Sequence, residues 1–93
     1  MRFVVELVVS LKEGLLDPQG KAVEGALPAL GWENVEQVRV GKYIRYVIEA
    51  PTADAALDQT HTMAERFLSN PVIEDFRVVA VTEGSEAISG SRS

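Results

Sequence analysis

Apolar and polar side chains alternate along the first part of the chain, as they do in a strand with one buried face. The alternation covers residues 3–11, and the segment is rich in β-branched valines, which favour strands. We therefore expect a strand over these residues. The side chains predicted to face the core are Phe3, Val5, Leu7, Val9 and Leu11.

The hydrophobic period then becomes helical in the segment "DPQGKAVEGALPALG". Asp17 stands at the N-cap position and Pro18 at the first helical position, where its missing N–H removes no intrahelical hydrogen bond. Gly31 is a natural carboxyl-terminal stop, and Pro28 should bend or shorten the last turn. These signals predict a helix near residues 18–30. Its buried stripe is predicted to be Val23, Ala26, Leu27 and Leu30.

The segment "VEQVRVGKYIRYVIEA" predicts a β-hairpin, whose register depends on the length of the loop. A three-residue loop over 41–43 would pair Val40 with Ile44 and Val38 with Tyr46. A two-residue turn would place the valines of the first strand opposite a tyrosine and an arginine instead. Because register follows the buried face, the three-residue loop is the preferred interpretation.

A second helix is expected after Pro51, with Thr52 as its N-cap, and it should end before Pro71 because residues preceding a proline avoid the helical region. The segment "VIEDFRVVAV" predicts the last strand. Alternation along this strand places three residues on its core-facing side: Phe76, Val78 and Ala80.

The resulting order, βαββαβ, predicts an α+β fold of the ferredoxin-like type. In this two-layer sandwich, two helices cover one face of a four-stranded antiparallel sheet. A chain of 93 residues is long enough for one hydrophobic core, so we expect a single domain over residues 1–83. Residues 84–93 are small and polar, and they are predicted to form a disordered tail.

The face of the sheet without helices should combine an apolar centre with a charged rim, which is typical of an interface. Covering such a face also stabilises a small domain. We therefore expect a homodimer or a higher homo-oligomer. The residues predicted to form this face are Val4, Val8, Arg45, Val47, Arg77, Val79 and Val81.

Composition narrows the possible functions. The net charge of -5 argues against binding to nucleic acid or to anionic membranes, and no apolar run approaches the ~18 residues of a membrane span. The absence of cysteine fits a reducing cytoplasm, so a cytoplasmic location is expected. One histidine, His61, without an evident orienting partner suggests neither a catalytic site nor a metal site. A binding or scaffolding role is therefore favoured over catalysis.

Three blocks, "SLKEGLLDPQGKAVEGAL", "VEQVRVGKYI" and "FLSNPVIEDFRV", follow one another at characteristic spacing. Together they resemble the small PurS subunits of phosphoribosylformylglycinamidine synthase, over about residues 3–82. The resemblance implies a non-catalytic assembly subunit of a purine-biosynthetic glutamine amidotransferase. Its partners would be a glutaminase subunit (PurQ) and a large synthetase subunit (PurL), between which ammonia passes. The complex would use ATP, magnesium and glutamine, while this chain alone would bind no cofactor.

The candidate partner-binding residues belong to the first two of these blocks. Asp17 at the N-cap already satisfies free N–H groups and repels a second anion, so a phosphate site at this helix start is disfavoured. Polar groups on rigid turns suit a protein partner better. The candidates are Asp17, Gln19, Gly20, Arg39, Gly41 and Lys42.

Two other classes of protein share the βαββαβ order. A regulatory module of the ACT type would bind an amino acid at a dimer interface near the first helix. A small hydrolase of the acylphosphatase type would need an arginine in the loop after the first strand. That loop, residues 12–17, contains two acidic residues and no arginine, which makes the hydrolase the weaker alternative.

Overall fold

The computed structural model describes residues 1–84, so the predicted disordered tail, residues 84–93, lies outside the described part except for Gly84. None of the helices within residues 1–84 has the length and apolar character needed to cross a membrane. The described elements are β1 (Arg2–Leu11), α1 (Pro18–Ala26), β2 (Lys42–Glu49), α2 (Ala53–Met63) and β3 (Glu74–Glu83).

The ends of both helices follow from their sequences. Asp17 caps α1 by accepting a hydrogen bond from the backbone of its first turn, and Pro18 occupies the first helical position, as predicted. The proline at position 28 turns the end of this helix into a short 3-10 turn, Pro28–Leu30, which Gly31 ends in a left-handed conformation. Thr52 caps α2, which continues into a wider π-type turn, Ala64–Leu68.

Within the described residues, the sheet contains three antiparallel strands in the order β2-β1-β3 and is accompanied by two helices, so the fold is α+β. Four of the five predicted core residues of β1 are confirmed, because Phe3, Val5, Leu7 and Val9 are at most 3% exposed, whereas Leu11 is half-buried. Two clusters form the core over this face. The first contains Phe3, Ala50 and Ala56, and the second contains Leu7, Val9 and Ala64.

The predicted hairpin is wrong, and with it the fourth strand is lost within the described residues. Lys42 and Tyr43 already pair with Val9 and Val8 of β1, so residues 41–43 cannot form a loop. The residues immediately before Lys42 form no strand. Carboxylates around α1 accept their amide hydrogens, which holds this segment beside the helix instead of folding it back on β2.

The expectation that both helices cover the sheet is also wrong, because only α2 contributes side chains to the core clusters. The one buried residue of α1 is Gly20. Its predicted apolar stripe faces outward instead, with Val23 44% exposed and Leu30 68% exposed. The attachment of α1 to the segment before β2, and not to the sheet face, leaves this stripe uncovered.

A β-bulge corrects the predicted faces of β3. Glu6 pairs with Ala80 while Leu7 pairs with Val78, so Val79 is an extra residue in β3. Since side chains alternate with a period of two, this insertion moves Ala80 to the face without helices and Val81 to the core side. Val81 packs against the first core cluster, so its predicted place on the helix-free face is wrong.

Candidate functional site

The candidate site lies where β1 ends, around the start of α1 and the segment that leads into β2. Asp17 is its centre, although it is only 4% exposed. Its Oδ1 accepts a hydrogen bond of 2.9 Å from the amide of Gly20, and its Oδ2 accepts one of 2.8 Å from the amide of Val40. One carboxylate therefore caps α1 and also fastens the segment before β2.

The ionisation of Asp17 follows from these contacts. The hydrogen bond from the Val40 amide, followed by that from Gly20, lowers the pKa of Asp17 below its ordinary value. The charge of Arg39 acts in the same direction, while burial opposes it. The carboxylate therefore stays ionised with its oxygens directed at its own backbone, which gives it a structural role.

Glycine at position 20 is required by close packing. A Cβ atom there would lie 2.1 Å from the carbonyl oxygen of Val38 and 3.1 Å from Oδ2 of Asp17. Gly41 is similar, because its Cβ would lie 2.6 Å from the carbonyl oxygen of Val9. Both predicted site glycines thus let two backbone segments approach one another.

Arg39 holds the loop after β1 through backbone carbonyls. Its Nη1 donates to the carbonyl oxygen of Leu15 at 2.9 Å, and its Nη2 donates to that of Lys12 at 3.2 Å. A longer hydrogen bond of 3.4 Å reaches Leu11. The planar fork of the guanidinium suits several carbonyl oxygens at once, so Arg39 fixes the path of the loop.

Two residues of the predicted set, Gln19 and Lys42, have exposed side chains that take no part in the hydrogen bonds described above. Both line a cleft of about 470 Å³, whose wall also includes Glu74. A second cleft, of about 540 Å³, lies on the other side of Asp17 and is lined by Lys21 and Glu24, among others. The arrangement presents polar groups of both signs on a rigid frame.

The third sequence block meets the same end of β1. The amide of Lys12 donates to the carbonyl oxygen of Ile73 at 2.9 Å, and the Lys12 ammonium group lies 2.9 Å from Asp75. Asn70 donates its amide hydrogen to Glu74. All three blocks are therefore in contact at one place, although they are far apart in sequence.

Sequence reasoning missed two features of this region. Glu24 accepts a hydrogen bond of 3.2 Å from the amide of Val38, and no local pattern distinguishes it from a solvated helix residue. Phe67 and Val72 are 85% and 79% exposed beside the turn before β3. Helical periodicity in the sequence predicts a buried position for Phe67. The structure differs because the π-type turn Ala64–Leu68 widens the helix there, and Phe67 faces outward.

The predicted helix-free face has mixed exposure. Val4 is only 3% exposed, Val8 and Val47 are half-buried, and Val79 is 43% exposed. The two arginines of the predicted set, Arg45 and Arg77, are exposed.

A polar group formed by Glu6, Tyr43 and Arg45 also lies on this face. The hydroxyl of Tyr43 donates to the carboxylate of Glu6, and this hydrogen bond raises the pKa of Tyr43. Arg45 is the direct cross-strand partner of Glu6.

No group of three or more histidine and acidic side chains within residues 1–84 is arranged to hold a metal ion. His61 is exposed and makes an edge-to-face contact with Phe76, at 5.4 Å between ring centroids.

Comparison with known proteins gives one consistent result. The family model described as PurS, phosphoribosylformylglycinamidine (FGAM) synthase, matches residues 4–82. The PurS subunit of this synthase from Bacillus subtilis is 46% identical over 76 residues, covering 81% of this chain and 88% of the relative.

Solved structures agree with this match. PurS from Thermus thermophilus is 42% identical with a TM-score of 0.79, covering 90% of this chain and 99% of the other. PurS from Methanocaldococcus jannaschii, described as one of the subunits of formylglycinamide ribonucleotide amidotransferase in the purine biosynthetic pathway, is 29% identical with a TM-score of 0.78, covering 89% and 99%. A chain in the structure of PurLQS from Thermotoga maritima is 28% identical with a TM-score of 0.77, covering 84% and 95%.

Proposed function

Because this chain belongs to the PurS family of FGAM synthase subunits, we propose that it is the non-catalytic assembly subunit of that synthase. The reaction of the complex converts formylglycinamide ribonucleotide to formylglycinamidine ribonucleotide in purine biosynthesis. The chain bridges the glutaminase and synthetase subunits and supports the transfer of ammonia between them. The family match over residues 4–82 carries this proposal, and it favours this function over a regulatory module of the ACT type.

The similarity to a chain of the Thermotoga maritima PurLQS complex supports PurL and PurQ as the partners. Within this chain, the surface at the end of β1 suits such partners. Gln19, Arg39 and Lys42 offer exposed polar groups, while Asp17 and the two packing glycines hold the frame on which they sit. A rigid frame limits the conformational entropy that a partner must remove on binding, so the surface is preorganised.

The cofactors of the reaction belong to the complex. We propose that ATP, magnesium and glutamine are bound by the larger subunits, and that the complex works in the cytoplasm. We also propose that this chain is a single domain over residues 1–83. The end of β3 at Glu83 and the family match to residue 82 support that boundary.

A homo-oligomer is part of the same proposal. The chain presents the half-buried Val8 and Val47 on the helix-free face, and it presents the uncovered stripe of α1 elsewhere. Each of these surfaces gains stability when covered. We also propose that the fold is of the ferredoxin-like type, because the strand order β2-β1-β3 matches three neighbouring strands of that fold.

Reconstitution tests the proposed function. The purified chain is mixed with a glutaminase and a synthetase subunit, and FGAM formation is measured with glutamine or with ammonium as the nitrogen source. We expect glutamine-dependent formation to require this chain and ammonium-dependent formation to proceed without it. Equal glutamine-dependent rates with and without the chain would contradict the assembly role.

A matched pair of variants locates the partner surface. Gln19→Arg places a bulky cation in the cleft at the end of β1, whereas Gln59→Arg makes the same change on the exposed side of α2. We expect Gln19→Arg to raise the concentration of this chain needed for half-maximal glutamine-dependent activity by about tenfold, which corresponds to ~1.4 kcal/mol. Equal effects of the two substitutions would contradict the placement of the surface.

A further inference from the structure

We draw no further inference here: the strongest candidate, the surface patch formed by the exposed apolar side chains of Phe67 and Val72 between the end of α2 and the start of β3, carries no proposal because nothing in the described part of the structure shows what covers it.

Discussion

Replacing Gly20 by alanine should destabilise the protein, although alanine is the better helix former. The added Cβ would lie 2.1 Å from the carbonyl oxygen of Val38 and 2.9 Å from its carbon, whereas ordinary contacts begin near 3.4 Å. The two backbone segments must therefore separate by more than 1 Å. Neither atom belongs to a flexible side chain, so the strain cannot be relieved by a rotamer change.

The expected magnitude follows from two opposing effects. Overpacking costs about 1–3 kcal/mol, and alanine regains about 1 kcal/mol over glycine inside a helix. Separation of the segments also weakens the hydrogen bonds from Val40 to Asp17 and from Val38 to Glu24. We therefore expect Gly20→Ala to lower the free energy of unfolding by about 1–3 kcal/mol.

Gly25→Ala in the same helix is the matched control, because nothing lies within 4 Å of its added Cβ. It should raise the free energy of unfolding by about 0.5–1 kcal/mol. Urea unfolding followed by circular dichroism measures both variants at one protein concentration, since association shifts apparent stability. If Gly20→Ala proves as stable as Gly25→Ala, then Gly20 is not needed for the close approach.

Three further predictions test other parts of the structure. Asp17 has a lower pKa folded than unfolded, so its stabilisation is complete above the unfolded pKa of about 3.9 and is lost as the pH falls through the folded pKa. Asp17→Asn should therefore lose less stability on acidification than the parent chain, and equal losses in acid titrations would contradict this role. Val81→Ala should lower the free energy of unfolding by about 1 kcal/mol, and Val79→Ala should lower it by less than about 0.5 kcal/mol. Equal shifts of the melting temperature in the two variants would contradict the bulge. Arg39→Lys should speed amide hydrogen exchange in residues 12–16 more than Arg66→Lys does, because it removes the guanidinium that contacts several carbonyl oxygens. Equal exchange rates in the two variants would show that these contacts are dispensable.

The elements whose signals are local could be predicted from the sequence. Alternation identified the core face of β1, and the caps at Asp17 and Thr52 placed both helix starts. These features depend on neighbouring residues and on backbone groups within one turn. Tertiary contacts therefore had little influence on them.

The features that were missed depend on contacts distant in sequence. The alternation before β2 predicts a hairpin, but Asp17 and Glu24 accept the amide hydrogens of Val40 and Val38 and hold this segment beside α1. The bulge at Val79 contains no glycine that would have indicated it in the sequence. It is recognised only from the pairing of β3 with β1. Alternation alone therefore assigned the wrong face beyond that point.

The three blocks that carry the family resemblance are separate in sequence but meet in one contact in space. The first block supplies Asp17 and Gly20, and the second supplies the backbone of residues 38–40 that they hold. The third block closes on the same loop through the hydrogen bond from Lys12 to Ile73. A substitution in any block should therefore disturb the packing at the end of β1. Because the proposed partner surface depends on that packing, the residues of the three blocks can serve the assembly without touching a partner.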